Sequence, residues 1–400
     1  MCLVMSASPF SAAAQGLGYF FQYRFSLLRA LELPDGGQLF LERNDDVEHV
    51  AADGSITAAS LKHKAEGERL TDLATDFWKS VRIWLTLYIK TGHGAGSDIR
   101  FILVTTASVP DDSFMSLFLG HGQDDMIRLE SAKKVLSMSK SDTISRIAAE
   151  LDALAIKQQR DFLGRISIVQ ETDRIDQLPA IIEQRLRAVD RRNRQAVFER
   201  LEGWWVNVVT NHLVSRGNDP IYISDVSDKL SAINDAYKSD NLPIDFLGKT
   251  PESIDAASDN RTFVEQLRVL GLSEERIRRA IIDYYRAFQQ RSSWARESLL
   301  VSNEIELYED RLVEEWDRFR EIACELLTDG SGEEVCRKAG RELYDWAQLN
   351  TGNLRIRERV TEPYVVRGTF QMLANADPQP RVYWHPRFLE RLANALEVTV

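Results

Sequence analysis

Four hundred residues exceed what one hydrophobic core ordinarily holds, so two domains are expected. With 44% hydrophobic and 28% charged residues, the chain reads as globular and soluble. A net charge of −11 argues against general nucleic-acid coating by a basic domain, yet leaves room for a local basic cleft or a centre built from carboxylates.

Met1 to Ala14 is mildly apolar but lacks a basic start and a long hydrophobic run, so no signal peptide is read there. No stretch reaches the roughly 18 uninterrupted apolar residues of a membrane helix, and a cytoplasmic location is expected. The segment 15–33 predicts a helix with Phe20, Leu27 and Ala30 at helical spacing, ended by Pro34-Asp35-Gly36-Gly37. Two strand-like runs follow, 38–50 and 55–64, joined through Asp53-Gly54, a strong signal for a hairpin with a type I′ turn. Thr71 to Ile89 predicts a helix with Trp78, Leu85 and Ile89 near one face. The glycine-rich stretch Thr91–Ser97 lacks the Gly-Lys-Ser/Thr ending of a phosphate-binding loop and reads as a flexible loop, so any ATP hydrolysis must come from a partner. Ile99 to Val109 is a strand of the buried type, helices fill 126–163, and 165–170 adds another strand. The order α-β-β-α-β describes an α/β core with strands packed between helices.

After Pro179 the pattern turns helical, over 181–214 and 264–329, with turns at Asp219-Pro220 and Asn241-Leu242-Pro243. The boundary is placed in a basic stretch holding Arg185, Arg187, Arg191, Arg192 and Arg194, giving domains 1–195 and 196–400. Cys2, Cys324 and Cys336 form an odd, sparse set that suggests a reducing compartment and no disulfide or zinc framework. The six histidines show no metal-ligand spacing. His63 can meet a phosphate or pack on the sheet, His385 reads as structural, and Trp204-Trp205 reads as core.

Chemistry concentrates in Leu41-Glu42-Arg43-Asn44-Asp45-Asp46-Val47-Glu48 and in Ser60-Leu61-Lys62-His63-Lys64 across the turn. Phosphodiester hydrolysis needs carboxylates to hold Mg²⁺ and a cation against the developing charge. A two-residue loop at Asp53-Gly54 sets Asp45 opposite Lys62, and one more residue sets Asp46 there. Spacing alone leaves both registers open, and an exposed ion pair across two strands would look the same.

Gly18-Tyr19-Phe20-Phe21-Gln22 on the first helix, with Glu42, Asp45-Asp46 and Lys62-His63, resembles the double-stranded-DNA endonuclease domain of CD-NTase-associated and Lamassu defence effectors, within the PD-(D/E)xK nuclease superfamily. The resemblance implies a restriction-endonuclease-like α/β domain, a mixed sheet flanked by helices, followed by a mainly α-helical domain. It implies Asp46 as first choice of metal ligand and Asp45 as second, Lys62 as catalytic lysine and Gln22 as a supporting helix residue. The Leu61 backbone carbonyl would be a further ligand to Mg²⁺ (or Mn²⁺). Ser60 stands where Gln or Glu is usual, a weaker ligand that points also to a non-catalytic DNA-binding reading. Glu42 or Glu48 could replace the missing charge.

In the second half, 279–288, Gln290-Arg291-Ser292-Ser293-Trp294, 308–316, Arg367-Gly368-Thr369-Phe370 and Tyr383-Trp384-His385-Pro386, together with Gly203-Trp204-Trp205, are similar to the C-terminal domain of ABC-three-component defence systems. That similarity implies partners: an SMC-like ATPase and a small middle protein, with double-stranded DNA as substrate and the nuclease held inactive until the ATPase detects foreign DNA. The acidic charge suggests activation by self-association. Ile277, Ile281, Tyr284 and Phe288 make an apolar stripe that by default is core, while Tyr285, Arg286, Arg291 and Trp294 also suit an interface.

Overall fold

The helix expected at 15–33 forms as α1 (Ala12–Glu32), and it buries Phe21, Leu27, Leu28 and Ala30 while Phe20 stays 64% exposed. The chain is described here from a computed structural model covering residues 12–93, 98–120 and 124–391, so Cys2, Gly94–Ser97 and His121 lie outside the described residues. It divides into two compact units, Met1–Ile233 and Asn234–Val400.

The first unit is built on a six-stranded mixed sheet. Its strands are β1 (Gln38–Leu41), β2 (Val47–Val50), β3 (Ile56–Lys62), β4 (Ile99–Thr105), β5 (Ile166–Val169) and β6 (Ile221–Tyr222), in the order β5-β4-β3-β2-β1-β6. The run 38–50 is therefore two antiparallel strands and not one. Its polar centre, Arg43-Asn44-Asp45-Asp46, is turn chemistry that interrupts the ladder. β3 and β4 pair in parallel, as do β4 and β5. Ile99, Phe101 and Leu103 of β4 are fully buried, as a central parallel strand requires.

The turn at Asp53-Gly54 differs from type I′. Only Gly54 has positive φ (85°), and Ala51 N–H donates to Ser55 O, so three residues form the loop. Asp53 accepts from both the Ser55 amide and its hydroxyl, which holds Asp53 out of the left-handed region. The ladder that results pairs Val50 with Ile56 and Val47 with Ala59. Neither expected register forms: continued by one residue, this pairing sets Asp46 against Ser60.

α2 (Thr75–Lys90) presses Trp78, Trp84 and Leu85 onto β4, and Ile89 turns outward at 41% exposure. The helices expected over 126–163 are three: α3 (Asp125–Met138), α4 (Asp142–Asp152) and α5 (Ile156–Gly164). α6 (Leu178–Arg185) and α7 (Arg194–Val214) follow, then β6 adds a short antiparallel edge to β1, and α8 (Ile223–Ala236) leads on. The division read at 195/196 falls just inside α7, which is bound into this first unit. Trp205 Nε1 donates to Tyr23 O, Tyr23 donates to Glu202 O, and His212 Nε2 lies 2.9 Å from Leu41 N. Gly217, at φ 68°, passes so near that a Cβ there would lie 2.9 Å from Leu41 O.

The second unit is helical: α9 (Thr262–Val269), α10 (Glu274–Arg296), α11 (Glu304–Cys324), α12 (Glu333–Leu349) and α13 (Pro363–Ala374). Ile277 and Ile281 are core, Tyr284 is half-buried and stacks on Phe288, and Phe288 is 46% exposed. Trp294 is buried and donates to Pro243 O, so it belongs to the interior. His385 is buried too. α10 and α13 cross so closely that a Cβ on Gly368 would lie 2.1 Å from Asp283 O and 2.5 Å from Ala287 Cβ. Gly368→Ala is therefore expected to cost about 3 kcal/mol by overpacking. In a thermal melt the transition should fall by roughly 6–12 °C. An unchanged melt would mean that the two helices are not in backbone contact at this point.

Candidate active site at a hairpin turn

The β1–β2 pairing closes at Leu41 and Val47, which leaves Glu42–Asp46 as the connecting turn. Glu42 N–H donates to Asp46 O at 3.2 Å, and Glu42 itself sits at φ 54°. A left-handed glutamate is costly to hold and needs support around it. That support comes from behind. Glu48 is fully buried and accepts hydrogen bonds from Arg43 and from Asn44 Nδ2 at 2.5 Å, while the Arg43 guanidinium lies over the Phe40 ring. Glu48 thus points away from the cleft, and Glu42 points into it.

The other wall is the end of β3. β2 stops opposite Ala59, so on that edge residues 60–62 face the turn, while their other edge stays paired with β4. Leu61 N–H donates to Asp46 Oδ2 at 2.6 Å, and Lys62 Nζ reaches the same oxygen at 3.4 Å. A strand residue sends its N–H and C=O to one side, so the Leu61 carbonyl also leaves toward Asp46. Ser60 is buried, 2.7 Å from Ser80 Oγ of α2 and 3.4 Å from Asp46 Oδ2. Asp45 is turned inward. Its carboxylate accepts from Trp84 Nε1 of α2 and from the Asp46 amide.

These groups line a cleft of about 620 Å³ together with Tyr19 and Gln22 of α1, and Asp76 and Lys79 of α2. The Gln22 side chain lies beside the Glu42 carboxylate and draws its pKa down. Although Glu42 is exposed on its outer side, loss of water and then the Asp46 charge hold its carboxyl above the ordinary glutamate range. Burial, then Asp46, pushes Asp45 up to about 6 against the pull of the Trp84 bond. The hydrogen bond from Lys64 keeps Asp76 low. His63 packs on Phe21 at 5.1 Å between ring centres, and its imidazole is held below its usual range by burial and by Arg174.

The structure brings Gln22, Glu42, Asp45, Asp46, Ser60, Leu61 and Lys62 to one place. Among the described residues, no group of three or more His, Cys, Asp or Glu side chains is arranged to hold a metal ion. The donor set still fits Mg²⁺, which keeps several waters and needs only one or two carboxylates. Asp46 and Glu42 can supply those, beside the Leu61 carbonyl. The Asp46 charge raises the Glu42 carboxyl on one cleft, a crowding of like charge that a divalent cation would relieve.

Sequence reasoning placed the helix at α2 but missed its part in the site. Trp84 and Ser80 hold Asp45 and Ser60, and the available signal was Asp76 and Ser80 breaking an apolar helix face at a spacing of four. Cys324 and Cys336 are free, the latter buried. No helix among the described residues is long and apolar enough to cross a membrane.

Residues 263–392 match the model of C-terminal domain 7 of the ABC-three component systems. No curated protein matches the chain. Among solved structures, the chain is similar to the Cap4 SAVED/CARF-domain containing receptor of Acinetobacter baumannii, at 17% identity and TM-score 0.31 over 57% of this chain and 48% of that one. The same receptor with the cyclic trinucleotide 2′3′3′-cAAA gives 15% identity and TM-score 0.32 over 66% and 59%. The Moraxella osloensis Cap4 receptor gives 13% identity and TM-score 0.30 over 66% and 61%. The chain thus spans less than two thirds of the length of these three.

Proposed function

We propose that the chain is a Mg²⁺- or Mn²⁺-dependent endonuclease for double-stranded DNA, with a restriction-endonuclease-like first unit, acting in a Lamassu-like anti-phage complex. The observation that carries the reading is one carboxylate oxygen: Asp46 Oδ2 receives Leu61 N–H and lies 3.4 Å from Lys62 Nζ on a cleft that also holds Glu42. Asp46, Glu42 and the Leu61 carbonyl would hold the cation. When bound, it supplies a polarised phosphate and a water of lowered pKa.

The chain's own residues do the remaining work. Lys62 places its ammonium beside the metal ligand, where it can offset charge growing on the phosphorane oxygens. Gln22 orients Glu42, and Trp84 and Asp45 fix the turn that aims Asp46. Lys64 and Lys79 add positive charge on the cleft wall for the DNA backbone. The match at 263–392 supports membership of a multi-component defence assembly, whose SMC-like ATPase and small middle subunit would restrain the nuclease and whose cytoplasmic setting follows from its DNA target. A second reading, DNA binding without cleavage, draws on Ser60: it is engaged with Ser80 and adds no carboxylate.

The test is the purified protein on linear and supercoiled DNA, with and without Mg²⁺. Cleavage is expected only with the metal. Its rate should rise more steeply than linearly with protein concentration, because a chain of charge −11 grips DNA poorly alone and self-association would align basic segments such as Arg187 and Arg191. DNA retained but uncut at every Mg²⁺ and Mn²⁺ concentration would favour the binding-only reading.

A further inference from the structure

The second unit carries a charged pocket of its own. Arg276, Arg279, Asp283 and Arg286 follow one face of α10 at helical spacing. With Arg367 of α13 and the end of α12, they line a pocket of about 570 Å³.

Each guanidinium is anchored by part of its donor set. Arg276 pairs with Asp345 and lies over the Tyr344 ring. Arg286 Nε donates to Lys249 O and Arg367 Nε donates to Gln348 O, both at 2.7 Å. A guanidinium has five donors, so anchoring through Nε fixes the fork while its terminal nitrogens can serve a ligand. Arg279 pairs with Glu275 only at the surface, where its side chain is 74% exposed. In the lining itself, four arginines stand against two carboxyls, Asp283 and Asp345. Burial pushes the Asp283 carboxyl up to about 6, against the pull of Arg367 and Arg286. The pocket thus holds a positive surplus in a chain whose net charge is −11.

The mouth is also apolar. Leu349 is 74% exposed there, and Ile282 and Tyr344 stand in the walls. A nucleic-acid backbone offers phosphates but no apolar side group for such a spot, and a duplex cannot enter a pocket. An acidic stretch of polypeptide offers both. We infer that this pocket is a docking site for an acidic segment of another protein, with carboxylates on the arginines of α10 and α13 and one apolar side chain against Leu349. The inference rests on the reading of the second unit as the part that attaches the chain to its partners, and on nothing in the Asp46–Lys62 cleft.

The experiment uses the full chain and a fluorescein-labelled nonapeptide of glutamates around a central leucine, followed by fluorescence anisotropy. Saturable binding is expected. The double variant Arg279→Glu/Arg286→Glu should weaken it about tenfold or more. Leu349→Asp should weaken it about fivefold. Reversal of an exposed charge elsewhere on the unit, Arg318→Glu, should leave it unchanged. Circular dichroism melts confirm that each variant is folded, and single Arg279→Glu replaces the double variant should that one melt early. No saturable binding, equal loss in Arg318→Glu, or equal competition by inorganic phosphate or a short oligonucleotide would overturn the inference. DNA cleavage should be the same in wild type and Arg279→Glu/Arg286→Glu, so a failure here leaves the nuclease reading standing.

Discussion

Lys62→Ala is expected to lose DNA cleavage by about 10²–10³-fold or more while keeping its fold. Lys62 lies at the end of β3 with its side chain 23% exposed, and its ion pair with Asp46 is 3.4 Å long. A pair so placed contributes only about 0–1 kcal/mol to stability, so removing the ammonium should barely move a thermal melt. The loss would fall on the transition state, where a phosphorane carries more charge than the bound DNA. Single-turnover cleavage at saturating DNA is the measurement, because it separates the chemical step from binding. Wild-type rates in a well-folded Lys62→Ala protein would remove this lysine from the site.

The second large effect separates two neighbouring aspartates. Asp46→Ala should be inactive and nearly as stable as the parent, since Asp46 and Lys62 both line a cleft that water enters. Asp45→Ala should be impaired in both respects. It strips the buried Trp84 Nε1 of its acceptor and frees the Asp46 amide, which costs about 1–3 kcal/mol and loosens the turn. Asp45→Asn keeps an acceptor oxygen for Trp84 and should recover most of the stability and part of the activity. Should Asp45→Asn be dead while Asp46→Ala cuts normally, the inner aspartate would be the ligand, and the turn would have to face the other way during cleavage.

The residues of this cleft were legible before their arrangement was. Asp46 and Lys62 stood out by chemical type, but two details the sequence leaves to tertiary context decide their contact. The Asx-type bonds of Asp53 to Ser55 choose a three-residue loop over type I′ and so shift the ladder. The stretch Arg43–Asp46 splits one apparent strand in two, and the split turns a cross-strand pairing into a turn resting on a strand end. β6 was illegible for a different reason. Two residues give no period, and Ile221–Tyr222 is a strand only because β1 offers an edge. The helical half read more easily, since its long amphipathic segments repeat the same pattern over many turns, and only the fate of Phe288 and Trp294 needed the packing itself.

The Arg43–Glu48 pair behind the turn restricts how this chain can drift. Losing Arg43 strands the fully buried Glu48 carboxylate at a cost of about 3–5 kcal/mol, whereas losing Glu48 leaves an Arg43 that already reaches solvent. Position 43 is thus tied to the carboxylate at 48 across generations although neither faces the cleft. A chain that gives up Glu48 first can then lose Arg43 freely, while the opposite order passes through an unpaired buried carboxylate.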